Sequence, residues 1–231
     1  MTMTSPSRSV LAVAAHADDE VLGAGGTLAA HARAGDRVHL LVLSASATSR
    51  PGEDHDQVRA HRAACVKKAA ALYDAPVQIA DFPDNAFDTA ARLAITQTIE
   101  AAVARFRPQI LYTHSAADLS LDHRITAEAV AAATRPQPGS TVATVLAWEV
   151  RSATEWGTGE PFRPTWFQPL TDQDLAVKEQ AMEAYASEMR PWPHTRSVRA
   201  VLAAARVRGA QVGHEAAEAF EVVRHTAVTP T

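Results

Sequence analysis

The chain has one cysteine, Cys65, in 231 residues, so no intrachain disulfide can form. Nothing in the cysteine count points to an oxidising compartment. Basic residues are not in excess: 22 Lys and Arg stand against 26 Asp and Glu, a formal net charge of -4. A general nucleic-acid or anionic-membrane binder would show the opposite balance. No run of about 18 uncharged apolar residues occurs, and the apolar stretch 10–15 is too short for a signal-peptide core. The expected location is cytoplasmic, with neither nucleic acid nor membrane as partner. Also missing are a Walker motif, a G-x-G-x-x-G fingerprint and a G-x-S-x-G nucleophile elbow. Phosphate-loop NTPases, dinucleotide-dependent oxidoreductases and serine hydrolases therefore have no support. No repeat or low-complexity tract breaks the chain.

What is present is ordinary globular composition, 47% hydrophobic and 21% charged. The pattern alternates strand and helix. Residues 9–15 (SVLAVAA) and 38–44 (VHLLVLS) are near-continuous apolar runs, as expected of strands buried on both faces. Further strands are read at 77–80, 109–113 and 141–150, and helices at 20–34, 56–73, 89–106 and 123–134. This order predicts an α/β fold, a Rossmann-like and mainly parallel sheet with helices on both faces. Residues 151–169 read as irregular, 172–189 and 196–208 as helices, and 217–224 as a last strand or helix. The whole of 1–231 reads as one domain, with about 151–231 as a cap on it. Ligands in such folds gather beyond the carboxyl ends of the strands. That rule points to 15–19, 44–50, 81–85 and 113–123.

The strongest chemical signal is AAHADDE, residues 14–20, directly after the first strand. His16 and Asp19 are three apart, which on a helix start puts both within reach of one metal ion. Asp18 points elsewhere and is placed to hold a water. The bland reading of the same residues is an acidic helix cap. The second signal is YTHSAADLSLDHR, residues 112–124, with His114, Asp118, Asp122 and His123. Two imidazoles and a carboxylate, from His16, Asp19 and His123, suit Zn²⁺ and leave a coordination position for water. Gly23, Gly25 and Gly26 lie inside a helix and read as close-packing positions rather than a phosphate cradle. Trp148, Trp156 and Trp166 offer faces for a sugar ring, with core packing as the plainer reading. His194, Arg206 and Arg208 are within the stretch where a substrate phosphate or carboxylate would find a partner.

The motif AAHADDEVLGAGGTLA resembles the AHPDDE signature of the PIG-L/LmbE-like zinc deacetylases. YTHSAADLSLDHR resembles that family's second block, and SASATSR, FPDNAFD and RPWPHTRS resemble segments of its sugar-modifying members. The resemblance implies a Rossmann-like domain, one Zn²⁺, and hydrolysis of an N-acetyl group from a glucosamine-type sugar, free, nucleotide-linked or otherwise linked. It also leaves self-association into a homo-oligomer open. By position, His16, Asp19 and His123 match the zinc ligands, Asp18 the general base and Asp122 the aspartate beside the ligand histidine. Arg50 matches an arginine near the substrate.

Two positions depart from the pattern. Ala17 stands where the signature has proline, and Ser120 stands where many members have an oxyanion-stabilising histidine. Serine donates a hydrogen bond but carries no charge, so the protein uses another donor, with His114 and Arg50 the first candidates, relies more on zinc, or is slow. Asp18, read as an ordinary aspartate with a pKa near 3.9, works as a base only on water already acidified by metal. Alternative readings are a zinc amidase for another acyl or thiol-conjugate substrate, and a weakly active metal-containing sugar-binding protein.

Overall fold

A computed structural model describes residues 7–46 and 54–227. Seven strands form one sheet: β1 (Ser9–His16), β2 (Arg37–Ser44), β3 (Val77–Ile79), β4 (Ile110–His114), β5 (Thr144–Trp148), β6 (Trp166–Pro169) and β7 (Ala217–His225). Six α-helices accompany them: α1 (Asp19–Arg33), α2 (His55–Ala71), α3 (Arg92–Phe106), α4 (Leu121–Ala133), α5 (Asp172–Ala184) and α6 (Val198–Ala210). The strand order is β3-β2-β1-β4-β5-β7-β6. The first five strands run parallel, and β7 is antiparallel to both of its neighbours.

The apolar runs explain the layering. Successive residues of β1 face opposite sides of the sheet. Val10, Ala12 and Ala14 pack with α1, α2 and α5, while Leu11, Val13 and Ala15 pack with α3 and α4. The chain builds outward from β1 through β2 to β3, then returns to add β4 on the other side of β1. Such a reversal opens a crevice at the carboxyl ends of the two adjoining strands. His16 ends β1 and His114 ends β4, so both conspicuous motifs issue at that point.

The glycines of α1 are there for proximity. A Cβ on Gly23 would lie 2.4 Å from Trp148 Cγ, and one on Gly26 would lie 2.6 Å from Leu170 Cδ1. An α-helix pairs the carbonyl of residue 22 with the amide of residue 26. Here Leu22 O accepts from Lys178 Nζ at 2.9 Å. The amides of Gly26 and Thr27 donate to the two oxygens of Glu218 at 3.0 and 2.7 Å. Lys178 and Glu218 pair with each other, so a buried ion pair from α5 and β7 is seated against the middle of α1.

Several boundaries differ from the sequence reading. The helix expected at 89–106 starts at Arg92, because Phe87–Thr89 forms a 3-10 turn that buries Phe87. The helix expected to reach 189 stops at Ala184, where the following Tyr185 leaves helical geometry and its hydroxyl bonds the buried Glu20. Residues 166–169, expected to be irregular, form the edge strand β6 on β7. The C-terminal third thus supplies two strands to the central sheet as well as helices over it. None of the described helices is long and apolar enough to cross a membrane.

Candidate metal centre

The turn after β1 brings the first motif together. Asp18 has φ 104, in the left-handed region that Asp tolerates better than most residues. Its carbonyl accepts from the amides of Val21 and Leu22, starting α1. The reversal folds Asp19 back under His16, whose amide donates to Asp19 Oδ2 at 2.9 Å. The second motif is placed by a helix cap. Ser120 Oγ accepts from the amide of His123, so His123 occupies the first turn of α4 and faces the end of β1.

Three donor atoms converge there. His16 Nδ1 and Asp19 Oδ2 are 3.3 Å apart, His123 Nε2 and Asp19 Oδ2 are 3.3 Å apart, and the two imidazole nitrogens are 3.3 Å apart. A tetrahedral ion with ligands about 2.0–2.1 Å away sets its donors about 3.3–3.4 Å from one another. The outward nitrogens of both rings meet carboxylates: His16 Nε2 lies 2.9 Å from Asp122 Oδ2, and His123 Nδ1 lies 3.1 Å from Asp118 Oδ1. The hydrogen bond to Asp122 holds the His16 ring proton on the far nitrogen and turns its lone pair inward, while Asp118 meets His123 as a charge contact. Asp19 Oδ1 is buried with no hydrogen-bond partner. The set fits one divalent cation with two nitrogens and one oxygen, open on its fourth side.

The electrostatics agree. Burial alone would lower the pKa of His16, but hydrogen bonds to Asp122 and Asp19 and the nearby carboxylate charges raise it to about 10. Burial also opposes protonation of His123, and Asp19 and Asp118 overcome it to reach about 9. Surroundings negative enough to hold protons on these rings also attract a cation. Asp18 departs from the ordinary value expected of it: burial pushes it up to about 7, against the opposing charge of Arg196.

A cavity of about 220 Å³ opens beside the three donors, with His16, Asp18, Ser120 and His123 in its wall. His114 does not reach it. That ring is fully buried, stacks on His123 at 4.0 Å, and receives the amide of Ala15 on Nε2 at 2.9 Å. Burial and the neighbouring His123 lower its pKa to about 3, so it is a neutral floor under a ligand ring rather than a cationic donor. His194 is exposed and lies outside the wall, its Nδ1 accepting from the amide of Arg196. Arg50 lies outside the described residues. Trp148 is a core residue, and Trp156 and Trp166 are exposed away from the cavity wall.

Four charged wall residues, Arg62, Asp84, Glu188 and Arg196, carry no role in the sequence reading. Arg62 bonds Ser46 O and faces Asp84 at 3.5 Å and Glu188 at 3.3 Å. Arg196 Nη1 lies 3.1 Å from Asp18 Oδ2. Asp84 follows a strand in the 81–85 stretch that the fold rule points to, which was its available signal. Arg196 sits in RPWPHTRS, two residues past the histidine singled out there.

Comparison with known proteins identifies the family and the fold. Residues 11–134 match the family described as PIG-L, GlcNAc-PI de-N-acetylase. No curated protein matches the chain. Among solved structures, GalB, the 4-carboxy-2-hydroxymuconate hydratase from Pseudomonas putida KT2440, superposes with TM-score 0.79 at 21% identity, covering 97% of this chain and 99% of that one. The N,N'-diacetylchitobiose deacetylase from Pyrococcus horikoshii gives 0.76 at 15%, covering 94% and 84%. The A40926 pseudoaglycone deacetylase Dbv21 gives 0.75 at 21%, covering 97% and 100%. At these identities the likeness establishes the fold, which a hydratase and deacetylases share.

Proposed function

The chain belongs to the PIG-L family, described as GlcNAc-PI de-N-acetylase, and on that premise we propose that it is a zinc-dependent hydrolase that removes the N-acetyl group from a glucosamine-type amino sugar. The observation that carries the reading is the triangle of His16 Nδ1, Asp19 Oδ2 and His123 Nε2, with edges of 3.3 Å, beside a cavity that Asp18 lines. His16, Asp19 and His123 would hold Zn²⁺. When bound, the ion supplies Lewis acidity to an amide carbonyl and to water, which are otherwise a poor electrophile and a poor nucleophile.

The chain's own groups do the rest. Asp18 takes a proton from the attacking water and passes it to the leaving amine. Asp18 lines the cavity beside the three donors, where a water facing a bound substrate would sit. Asp122 and Asp118 orient the two imidazoles. Ser120 holds His123 through its cap and lines the cavity, with a neutral hydroxyl where relatives have a histidine. His114 supports the His123 ring. The carboxylates and guanidinium groups of Asp84, Glu188 and Arg62 give the wall the polar character that sugar hydroxyls require. Since a hydratase shares the fold, the family match and not the fold selects amide hydrolysis.

The test is metal analysis of protein purified without added metal, beside His123→Ala, followed by acetate release from a panel of N-acetylated amino sugars. About one zinc per chain, lost in the variant, together with acetate release is the expected result. Zinc without hydrolysis of any acylated amine favours a metal-containing binding protein. Release of a different acid favours another amidase.

A further inference from the structure

Ser120 brings only a neutral hydroxyl to the cavity, at the position where the resemblance implies a histidine, so a charged side chain to assist the metal at the developing oxyanion has to come from elsewhere. Among the described residues, two guanidinium groups line the cavity, those of Arg62 and Arg196. Arg62 is committed on three sides, to Ser46 O, Asp84 and Glu188. Arg196 is held differently. Nε donates to Ser152 Oγ at 2.9 Å, and Nη1 reaches Asp18 Oδ2 at 3.1 Å. Its side chain is 24% exposed, so it keeps a face toward the cavity.

The backbone around Arg196 is anchored. Its amide donates to His194 Nδ1 at 3.0 Å, and the next residue, Ser197, caps α6. Ser152, which braces the guanidinium, has φ 79. A non-glycine residue there is strained and persists when its surroundings require it. Two separate loops thus converge to keep one cation against the general base.

We propose that Arg196 is the oxyanion-stabilising catalytic residue of this enzyme, standing in for the histidine that Ser120 replaces. The proposal rests on the amide-hydrolysis reading. In the addition step the water oxygen bonds to the carbonyl carbon, the water proton goes to Asp18, and the carbonyl π pair moves to the acetyl oxygen. Negative charge therefore leaves Asp18 as it grows on the acetyl oxygen. A guanidinium beside Asp18, with five N–H donors in a planar fork, is able to follow it. In the second step the C=O bond re-forms, the C–N bond breaks, and the proton passes from Asp18 to nitrogen, leaving acetic acid and an amine; the acid then gives up its remaining proton, ending as acetate and an ammonium. Such a donor acts on the transition state more than on the bound amide, so its loss lowers kcat more than it raises KM.

The experiment compares two probes by calorimetry on zinc-loaded protein: N-acetylglucosamine, and its N-methylphosphonyl analogue, whose tetrahedral anion mimics the addition intermediate. The wild type should bind the phosphonyl probe more tightly. Arg196→Gln should lose about 10²–10³-fold on the phosphonyl probe, with less than about threefold change on the acetyl probe. Arg196→Lys should recover part of the loss, and both variants should retain the parent zinc content. If Arg196→Gln binds the phosphonyl probe as well as the parent does, or weakens both probes equally, the assignment of Arg196 is overturned while amide hydrolysis stands. If the wild type itself does not prefer the tetrahedral probe, amide hydrolysis falls and this role falls with it.

Discussion

Replacing Asp122 by asparagine keeps the shape of the side chain and should still cost the centre its metal. Asp122 Oδ2 takes the proton of His16 Nε2 at 2.9 Å, and Oδ1 accepts the amide of Phe87 at 3.0 Å. Asparagine offers one acceptor oxygen and one donor amide. If its oxygen serves Phe87, its NH₂ faces His16 Nε2 and demands a lone pair there. The ring proton then moves to Nδ1, the atom that faces the other two donors. If the amide flips, the buried Phe87 N–H loses its acceptor, at about 1–3 kcal/mol. Outer partners of ligand histidines are worth roughly 10–100-fold in metal affinity, or about 1.4–2.7 kcal/mol. Competition against a chromophoric chelator should therefore show zinc affinity at least about tenfold weaker in Asp122→Asn, measured on metal-free variant protein shown to be folded. Zinc binding at parental strength, with the fold intact, would refute the argument that Asp122 sets the tautomer of His16.

Three further outcomes are expected. Asp18→Asn should keep its zinc, which the other three residues hold, and lose about 10²–10⁴ in turnover; parental acetate release would remove Asp18 from the base role. Gly23→Ala gains up to about 1 kcal/mol of helix propensity, but its Cβ would sit 2.4 Å from the fully buried Trp148 ring. Overpacking of about 1–3 kcal/mol wins, so chemical denaturation should show net destabilisation. Burial would raise the pKa of Asp36, but hydrogen bonds from Arg8 and His31 outweigh it and hold the group below its usual value. Its contribution to stability is thus complete above the ordinary carboxylate range near 3.9 and lost as pH falls through the lowered value. Urea midpoints followed from neutral to acid pH should fall less steeply in Asp36→Asn than in the parent.

What the sequence made legible follows its local chemistry. β1 and β2 are near-continuous apolar runs because helices cover both faces of the sheet, and their ends marked the site. The edge strand β6 gave no such signal: it is four residues long, contains Gln168 and Pro169, and is defined by pairing with β7 fifty residues later. The three donors were readable from spacing, and their partners were not. Asp122 adjoins His123 in sequence yet bonds His16, because consecutive helical residues point about 100° apart. The ring of His123 goes instead to Asp118, one turn earlier in a loop. Arg196 meets Asp18 across 178 positions, a contact no local pattern announces.

The ion pair of Lys178 and Glu218 has a consequence for how the molecule divides. The familiar signatures end by residue 134, and everything beyond looks dispensable on their account. Yet α1, which begins at Asp19, is pegged halfway along by two side chains from that later stretch. Sever the tail and Leu22, Gly26 and Thr27 lose those companions in the interior, and the rod that aims Asp19 loses its fixed point. The half of the chain that carries the signatures leans on the half that carries none.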